Sequence, residues 1–218
     1  MPKSPPLHGV PLGVKDLFWT KGVPTAGGTM VHRDFVPNED ATVVARLKQA
    51  SAMLLGKLEM TEGAYSDHHP AIAPQKNPWH AAFWTGISSS RPAVAMASGL
   101  CYGALASDTG GSIRWPCGAT GLSGIKPSWG RVSRFGVFEL AASLDHVGPI
   151  ARSVADEAAI LASIFGPDVI PPRLPSCVLT ISERSITVCA ACVFPRWNIR
   201  AAAALQHETT WHKQHPVV

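Results

Sequence analysis

The chain is short of charge. Asp, Glu, Lys and Arg make up 16% of its 218 residues, and 19 basic against 15 acidic side chains leave a net +4; soluble domains typically carry about a quarter charged residues. No run of Lys or Arg gathers that charge into one patch, so neither nucleic acid nor an anionic membrane surface is an expected partner. Long apolar runs are also missing. The longest uncharged stretch, Pro92 to Ser107, is broken by Pro92, Gly99 and Gly103 and falls short of the roughly 20 residues that a membrane helix needs. Heptad periodicity is absent, which excludes a coiled coil. Met1-Pro2-Lys3-Ser4-Pro5-Pro6 lacks the apolar core of a secretory signal, and five cysteines are an odd number to pair, so reduced thiols and a cytoplasmic location are expected.

Hydrophobic residues reach 46%, and Gly and Pro contribute 19 residues each. Enough apolar material is present for a core, with the loop content of a sheet-based enzyme rather than a helical bundle. Val10 to Asp16 reads as a short buried strand running into Lys15. Asn38, Glu39 and Asp40 supply capping side chains for a helix whose apolar face is Val43, Val44, Leu47 and Ala50. Met53 to Lys57 reads as a second buried strand, completing the strand, helix, strand unit of mostly parallel sheets. Pro92 to Leu100 predicts a buried helix with Pro92 at its first position, and Tyr102 to Ser107 a strand. Ser153 with Asp156 forms a capping box ahead of the stripe Ile160, Leu161, Ile164, and Pro167 closes that helix. From Asp168 onward the composition changes and periodicity fades. The expected organisation is a core over 7–166 and a divergent tail over 167–218.

Three segments carry candidate chemistry: Gly13-Val14-Lys15-Asp16, Thr85-Gly86-Ile87-Ser88-Ser89-Ser90, and Ser107-Asp108-Thr109-Gly110-Gly111-Ser112-Ile113-Arg114. A Lys ending an apolar strand is more often a snorkelling surface group than a base, and a Ser tripeptide is more often a loop. The third segment says more. Two glycines ahead of a serine free backbone N–H groups to converge on one point, suited to an oxyanion or a phosphate. A Walker loop would place Lys directly after its last Gly, where Ser112 stands, so nucleotide binding loses ground.

The run Ser107 to Pro116, followed by Gly124-Ile125-Lys126-Pro127-Ser128-Trp129-Gly130-Arg131-Val132-Ser133-Arg134 and by Leu144 to Ser153, resembles the defining block of the amidase signature family over about residues 7 to 166. The resemblance implies an α/β fold, a mixed twisted sheet covered by helices, here incomplete. It implies Ser112 as nucleophile, Ser88 as bridging serine after a cis peptide bond, Lys15 as base, and an oxyanion hole from Thr109, Gly110, Gly111 and Ser112. Ser88 precedes Ser112 by 24 residues, as the family pattern requires. The implied reaction is hydrolysis of a small-molecule carboxamide through a serine acyl-enzyme, with no metal and no cofactor. Lys15 would act as a neutral amine, which calls for burial without a carboxylate partner.

Ile87, Arg91 and Pro92 stand where the family has small residues, so Arg91 is expected to crowd the site or alter the field at Lys15. The chain is expected to be a truncated member leaving the family pattern near Pro167. The alternative function is therefore a catalytically inactive relative, an interaction protein or the product of a decayed gene, with exposed sheet edges available for self-association. Asp108 and Arg114 are read as loop braces, and Asp145 as structural rather than part of a triad with His146. His68, His69, Asp67 and His80 are not read as a metal site, since adjacent histidines on an extended segment point apart. Cys189 and Cys192 have half a zinc motif and are read as buried thiols. Trp79, Trp84, Trp115 and Trp129 are core or pocket wall.

Overall fold

A computed structural model describes residues 4–166 and Asp168. Its centre is a five-stranded mixed sheet in the order β2-β1-β3-β5-β4, built from β1 (Pro11–Lys15), β2 (Met53–Leu58), β3 (Gly103–Asp108), β4 (Ser123–Gly124) and β5 (His146–Ala151). β1 runs parallel to both β2 and β3, while β5 is antiparallel to β3 and to β4. Four α-helices among the described residues cover it: α1 (Thr42–Gln49), α2 (Ser90–Ala97), α3 (Arg114–Thr120) and α4 (Val154–Ile164). The expected mixed α/β sheet is present, and so is the parallel strand, helix, strand unit β1-α1-β2.

Alternation along the inner strands divides the interior into two cores. Leu12, Val14 and Leu105 pack with Val44 and Leu47 of α1 and Ile160 and Ile164 of α4 on one face. Ala104, Ala106 and Ile150 pack with Met96 of α2 and with Ile113 and Cys117 on the other. Every residue of β3 is buried, which accounts for its nearly continuous run of small and apolar side chains. Gly13 leaves room for Leu58 where β1 meets the second core: a Cβ there would lie 2.2 Å from Leu58 Cδ1, and that side chain would have to turn aside. Two residues on, the same alternation turns Lys15 toward the side where α2 packs.

Several local expectations are corrected. Met53 to Leu58 is an edge strand rather than a buried one: among the described residues only β1 flanks it, and Met53 and Leu55 are exposed. Helix α1 has Ala41 at its N-cap without a side-chain cap; Asp40 instead accepts from the Lys21 N–H at 2.8 Å and pairs with Lys48 at 2.7 Å. Pro92 falls third in α2, not first, still within the turn whose N–H groups lack helical partners, and Leu100 is exposed beyond the helix end. The four tryptophans Trp79, Trp84, Trp115 and Trp129 are all exposed, which rules them out of the core. The Ser153 cap is as expected, its Oγ accepting from the Asp156 N–H at 3.2 Å. Pro167 and the Cys189-Cys192 pair lie outside the described residues.

Helix α4 carries one costly feature. Glu157 is 1% exposed against the sheet, with no cation beside it and no well-formed hydrogen bond to either carboxylate oxygen among the described residues, the Ser123 hydroxyl being the one group that favours its charge. Burial pushes its pKa up to about 7. A raised folded-state value means that the folded chain binds more protons than the unfolded one between the ordinary carboxyl range and about 7. Stability from this group is therefore greatest in acid, falls as pH rises through that window and levels off above it. Glu157→Gln should raise Tm at pH 8 and flatten the fall in Tm between about pH 4.5 and 7; thermal melts by circular dichroism across that range check it.

Candidate active site

At the C-terminal end of β1, Lys15 turns under the start of α2 and is 0% exposed. Its Nζ lies 2.7 Å from Ser88 Oγ, 2.9 Å from Ser89 Oγ and 2.9 Å from Ser107 Oγ. It has no ion pair among the described residues. Desolvation lowers its pKa from 10.5 to about 7, opposed by the more weakly felt negative charges of Asp108 and Asp145. The uncharged amine is thus within reach at neutral pH, the form in which a lysine can accept a proton.

The serines arrive on the segment leading into α2. The Ile87–Ser88 peptide bond is cis. Gly86 has φ +75°, and a Cβ on it would sit 2.4 Å from the backbone of Pro116, so only glycine fits between this segment and α3. Ser89 is the N-cap of α2. Its N–H donates to the Ser112 carbonyl at 3.3 Å, fastening the serine segment to the glycine loop.

That loop follows β3. Asp108, fully buried at the strand end, accepts from Arg114 Nε and Nη2 at 3.0 Å each and from the Ile113 N–H at 3.2 Å, and pairs with Lys126 Nζ at 3.1 Å. These bonds hold its pKa below the usual range despite burial. Lys126 also donates to the Thr109 carbonyl at 2.8 Å, while the Thr109 hydroxyl donates to Asp145. Asp145 accepts further from the Leu140 and Ala141 N–H groups at 2.8 and 3.0 Å. Gripped at both ends, the loop turns through Gly110 and Gly111. A Cβ on Gly111, at φ +154°, would meet the Trp115 indole at 2.5 Å, whereas one on Gly110 would meet nothing within 4 Å. Among the described residues the N–H groups of Gly110, Gly111 and Ser112 donate no hydrogen bond, and the Ser112 hydroxyl has no partner either. Ser112 is 7% exposed.

The structure brings Lys15 onto Ser88 and ties the serine segment to the glycine loop through the Ser89 N–H, while no hydrogen bond joins the Ser88 and Ser112 hydroxyls. The family profile described as Amidase matches residues 1–186. The chain belongs to the amidase family. It is 59% identical over 166 residues to the putative amidase AmiD of Mycobacterium tuberculosis, a match covering 76% of this chain and 35% of that protein. It is 49% identical over 164 residues to a glutamyl-tRNA(Gln) amidotransferase polypeptide of Anaeromyxobacter dehalogenans, covering 74% and 33%. Among solved structures it resembles the native peptide amidase of Stenotrophomonas maltophilia, with TM-score 0.68 and 38% identity over 75% of this chain and 35% of that one. This amidase-family chain spans about a third of the length of the relatives it matches.

Other groups singled out in the sequence stand apart from Lys15. Arg91 neither crowds the amine nor sets its field: it pairs with Glu59 at 2.9 Å and donates to the Ala73 carbonyl at 3.2 Å, because its place in the first turn of α2 turns it outward. Asp108 and Arg114 brace the loop, and Asp145 is structural. His146 contacts the Leu144 carbonyl through Nδ1 and makes no triad. His69 and His80 each accept, through Nδ1, from an N–H two residues on. No cluster of metal-ligating side chains occurs among the described residues, and no helix among them is long and apolar enough to cross a membrane. Ser89 and Ser107 as partners of Lys15, and Lys126 as a loop anchor, are not marked in the sequence. The available signal for Ser107 is the parallel pairing of β1 with β3, which brings the ends of the two strands side by side.

Asp108→Ala would leave two cations without their carboxylate and the Ile113 N–H without an acceptor, although Arg114 and Lys126 keep partial access to water. The expected loss is about 2–4 kcal/mol of unfolding free energy, measured by urea titration.

Proposed function

We propose that this amidase-family chain carries the machinery for hydrolysing a carboxamide C–N bond through an acyl-enzyme on Ser112. The observation that supports the reading most strongly is the fully buried Lys15 amine, 2.7 Å from Ser88 Oγ, with its pKa lowered to about 7. In the reaction, the Ser112 side chain first turns onto Ser88, with which it makes no hydrogen bond in this structure; it then gives its hydroxyl proton to Ser88 as its Oγ bonds to the amide carbon, and Ser88 passes its own proton to the lone pair of Lys15. The carbonyl π electrons move to oxygen, and the N–H groups of Thr109, Gly110, Gly111 and Ser112 receive the resulting negative charge, each well-placed donor contributing about 3 kcal/mol. Collapse of this adduct breaks the C–N bond. The Lys15 proton returns through Ser88 to the departing nitrogen, leaving an ester on Ser112. Water repeats the sequence, releasing the acid and regenerating the serine.

Carboxamides as a class are the proposed substrates, and the chemistry needs no metal or cofactor. A cytoplasmic setting, where thiols stay reduced, is the proposed location.

A fluorophosphonate probe tests the reading on the 218-residue chain. Labelling should be abolished in Ser112→Ala and slowed at least about 100-fold in Lys15→Ala at about pH 7.5; equal labelling of wild type and both variants would overturn the reading, as would absence of label from all three. Because the reactive base is the unprotonated amine, the wild-type labelling rate should climb about tenfold per pH unit below a midpoint near 7 and flatten above it. Rates measured from about pH 5.5 to 9 check the midpoint.

A further inference from the structure

A neutral amine has two N–H bonds and one lone pair, yet Lys15 Nζ has three hydroxyl oxygens within hydrogen-bond distance, those of Ser88, Ser89 and Ser107. Only one of the three can sit on the lone-pair side. The Ser89 hydroxyl is already committed, since its Oγ donates to the Ser107 carbonyl at 3.2 Å, so toward Lys15 it can only accept. Ser107 lines a cavity that it shares with Thr109, Asp145 and Val147. Its Oγ, like that of Ser89, lies where it accepts from Nζ, at 2.9 Å. Ser88 makes the shortest of the three contacts, and Lys15 is its sole hydrogen-bond partner among the described residues.

We infer that Ser89 and Ser107 are positioning residues, which take the two N–H bonds of the Lys15 amine and so aim its lone pair at Ser88. The inference rests on the reading of Lys15 as the base. It assigns work to two side chains that stand outside the proton relay itself. Without them the amine can rotate about its Cε–Nζ bond among three staggered positions, only one of which points the lone pair along the relay.

The surrounding charges do not supply this orientation. Asp108 and Asp145 are the carboxylates that act on Lys15 from β3 and from the turn before β5. Asp108 is occupied by Arg114 and Lys126, and Asp145 by Thr109, Leu140 and Ala141. Just beyond β1, neighbouring Asp16 pairs with Lys57 at 3.6 Å. From α2 and its N-cap the amine meets hydroxyls, with the nearby Arg91 turned away to Glu59.

The test uses the whole 218-residue chain labelled with 13Cε,15Nζ-lysine, the Lys15 resonance being assigned by its loss in Lys15→Met. As an ammonium, Lys15 donates to all three hydroxyls, so deleting one removes a charge-assisted bond from the protonated form and a weaker one from the amine. The Lys15 titration midpoint should therefore fall in Ser107→Ala and in Ser89→Ala. Fluorophosphonate labelling at about pH 8.5, where the amine is neutral in every variant, should slow about three- to tenfold. Ser107→Thr, which keeps the hydroxyl, should restore both quantities. Midpoints unchanged in both alanine variants would overturn the inference. So would unchanged or faster labelling of Ser107→Ala, which would mean that its hydroxyl competes for the lone pair. Failure of the base reading is distinguishable: it appears as labelling insensitive to Ser112→Ala and Lys15→Ala, or as no labelling of wild type. In that last case the titration midpoints, which need no turnover, still decide whether the two hydroxyls hold the amine.

Discussion

Moving an ammonium group from water into a protein interior costs several kcal/mol, and this chain does so at the end of its central parallel strand pair. Lys15 is wholly enclosed by β1, β3 and the start of α2, with three hydroxyl oxygens as its neighbours and no ion pair among the described residues. Hydroxyls satisfy an amine's donors without stabilising its charge as a carboxylate would. Burial consequently acts on the protonation equilibrium, and the pKa comes down to about 7. Had Asp108 or Asp145 reached Nζ, the lysine would be a structural ammonium.

Both carboxylates are kept from that role by their own partners. Asp108 holds Arg114, Lys126 and the Ile113 N–H, and Asp145 holds the Thr109 hydroxyl and two N–H groups of the preceding turn. The same bonds fix the two ends of the glycine loop. Its middle, Gly110 to Ser112, is thereby left with N–H groups outside any helix or strand. One set of contacts does two things: it keeps both carboxylates from pairing with the amine, on which their charges act only at a distance, and it shapes the turn beside it.

Helices α1 and α4 are legible because their apolar residues recur at helical spacing, α4 also because Ser153 with Asp156 announces its start, and α2 because a run of small apolar residues follows Pro92. The inner strands were legible from continuous burial. β2 departs from its sequence pattern because Met53, Leu54 and Leu55 are as apolar as a core strand, and its place at the edge of the described sheet exposes two of them. Asp40 was misread as a helix cap because a short acidic side chain before a helix serves as well for Lys21 and Lys48, which neighbours decide. At the site, the glycine loop was readable from its own residues, and Lys15 and Ser88 became candidates through family resemblance. Ser89 and Ser107 were not, because a serine in a strand or at a cap carries no mark of the lysine it meets 74 or 92 positions away.

Short-range rules are written directly in the chain: which segments alternate or repeat, which glycines must turn, and which motif marks the family. Contacts between remote segments were needed to make Lys15 dry, to face Arg91 toward Glu59 instead of the amine, and to gather three oxygens around Nζ. The physical reason is that burial and electrostatic fields are sums over groups distant in the chain. A pKa near 7 thus belongs to the packing of β1, β3 and α2 together, and to no residue taken alone.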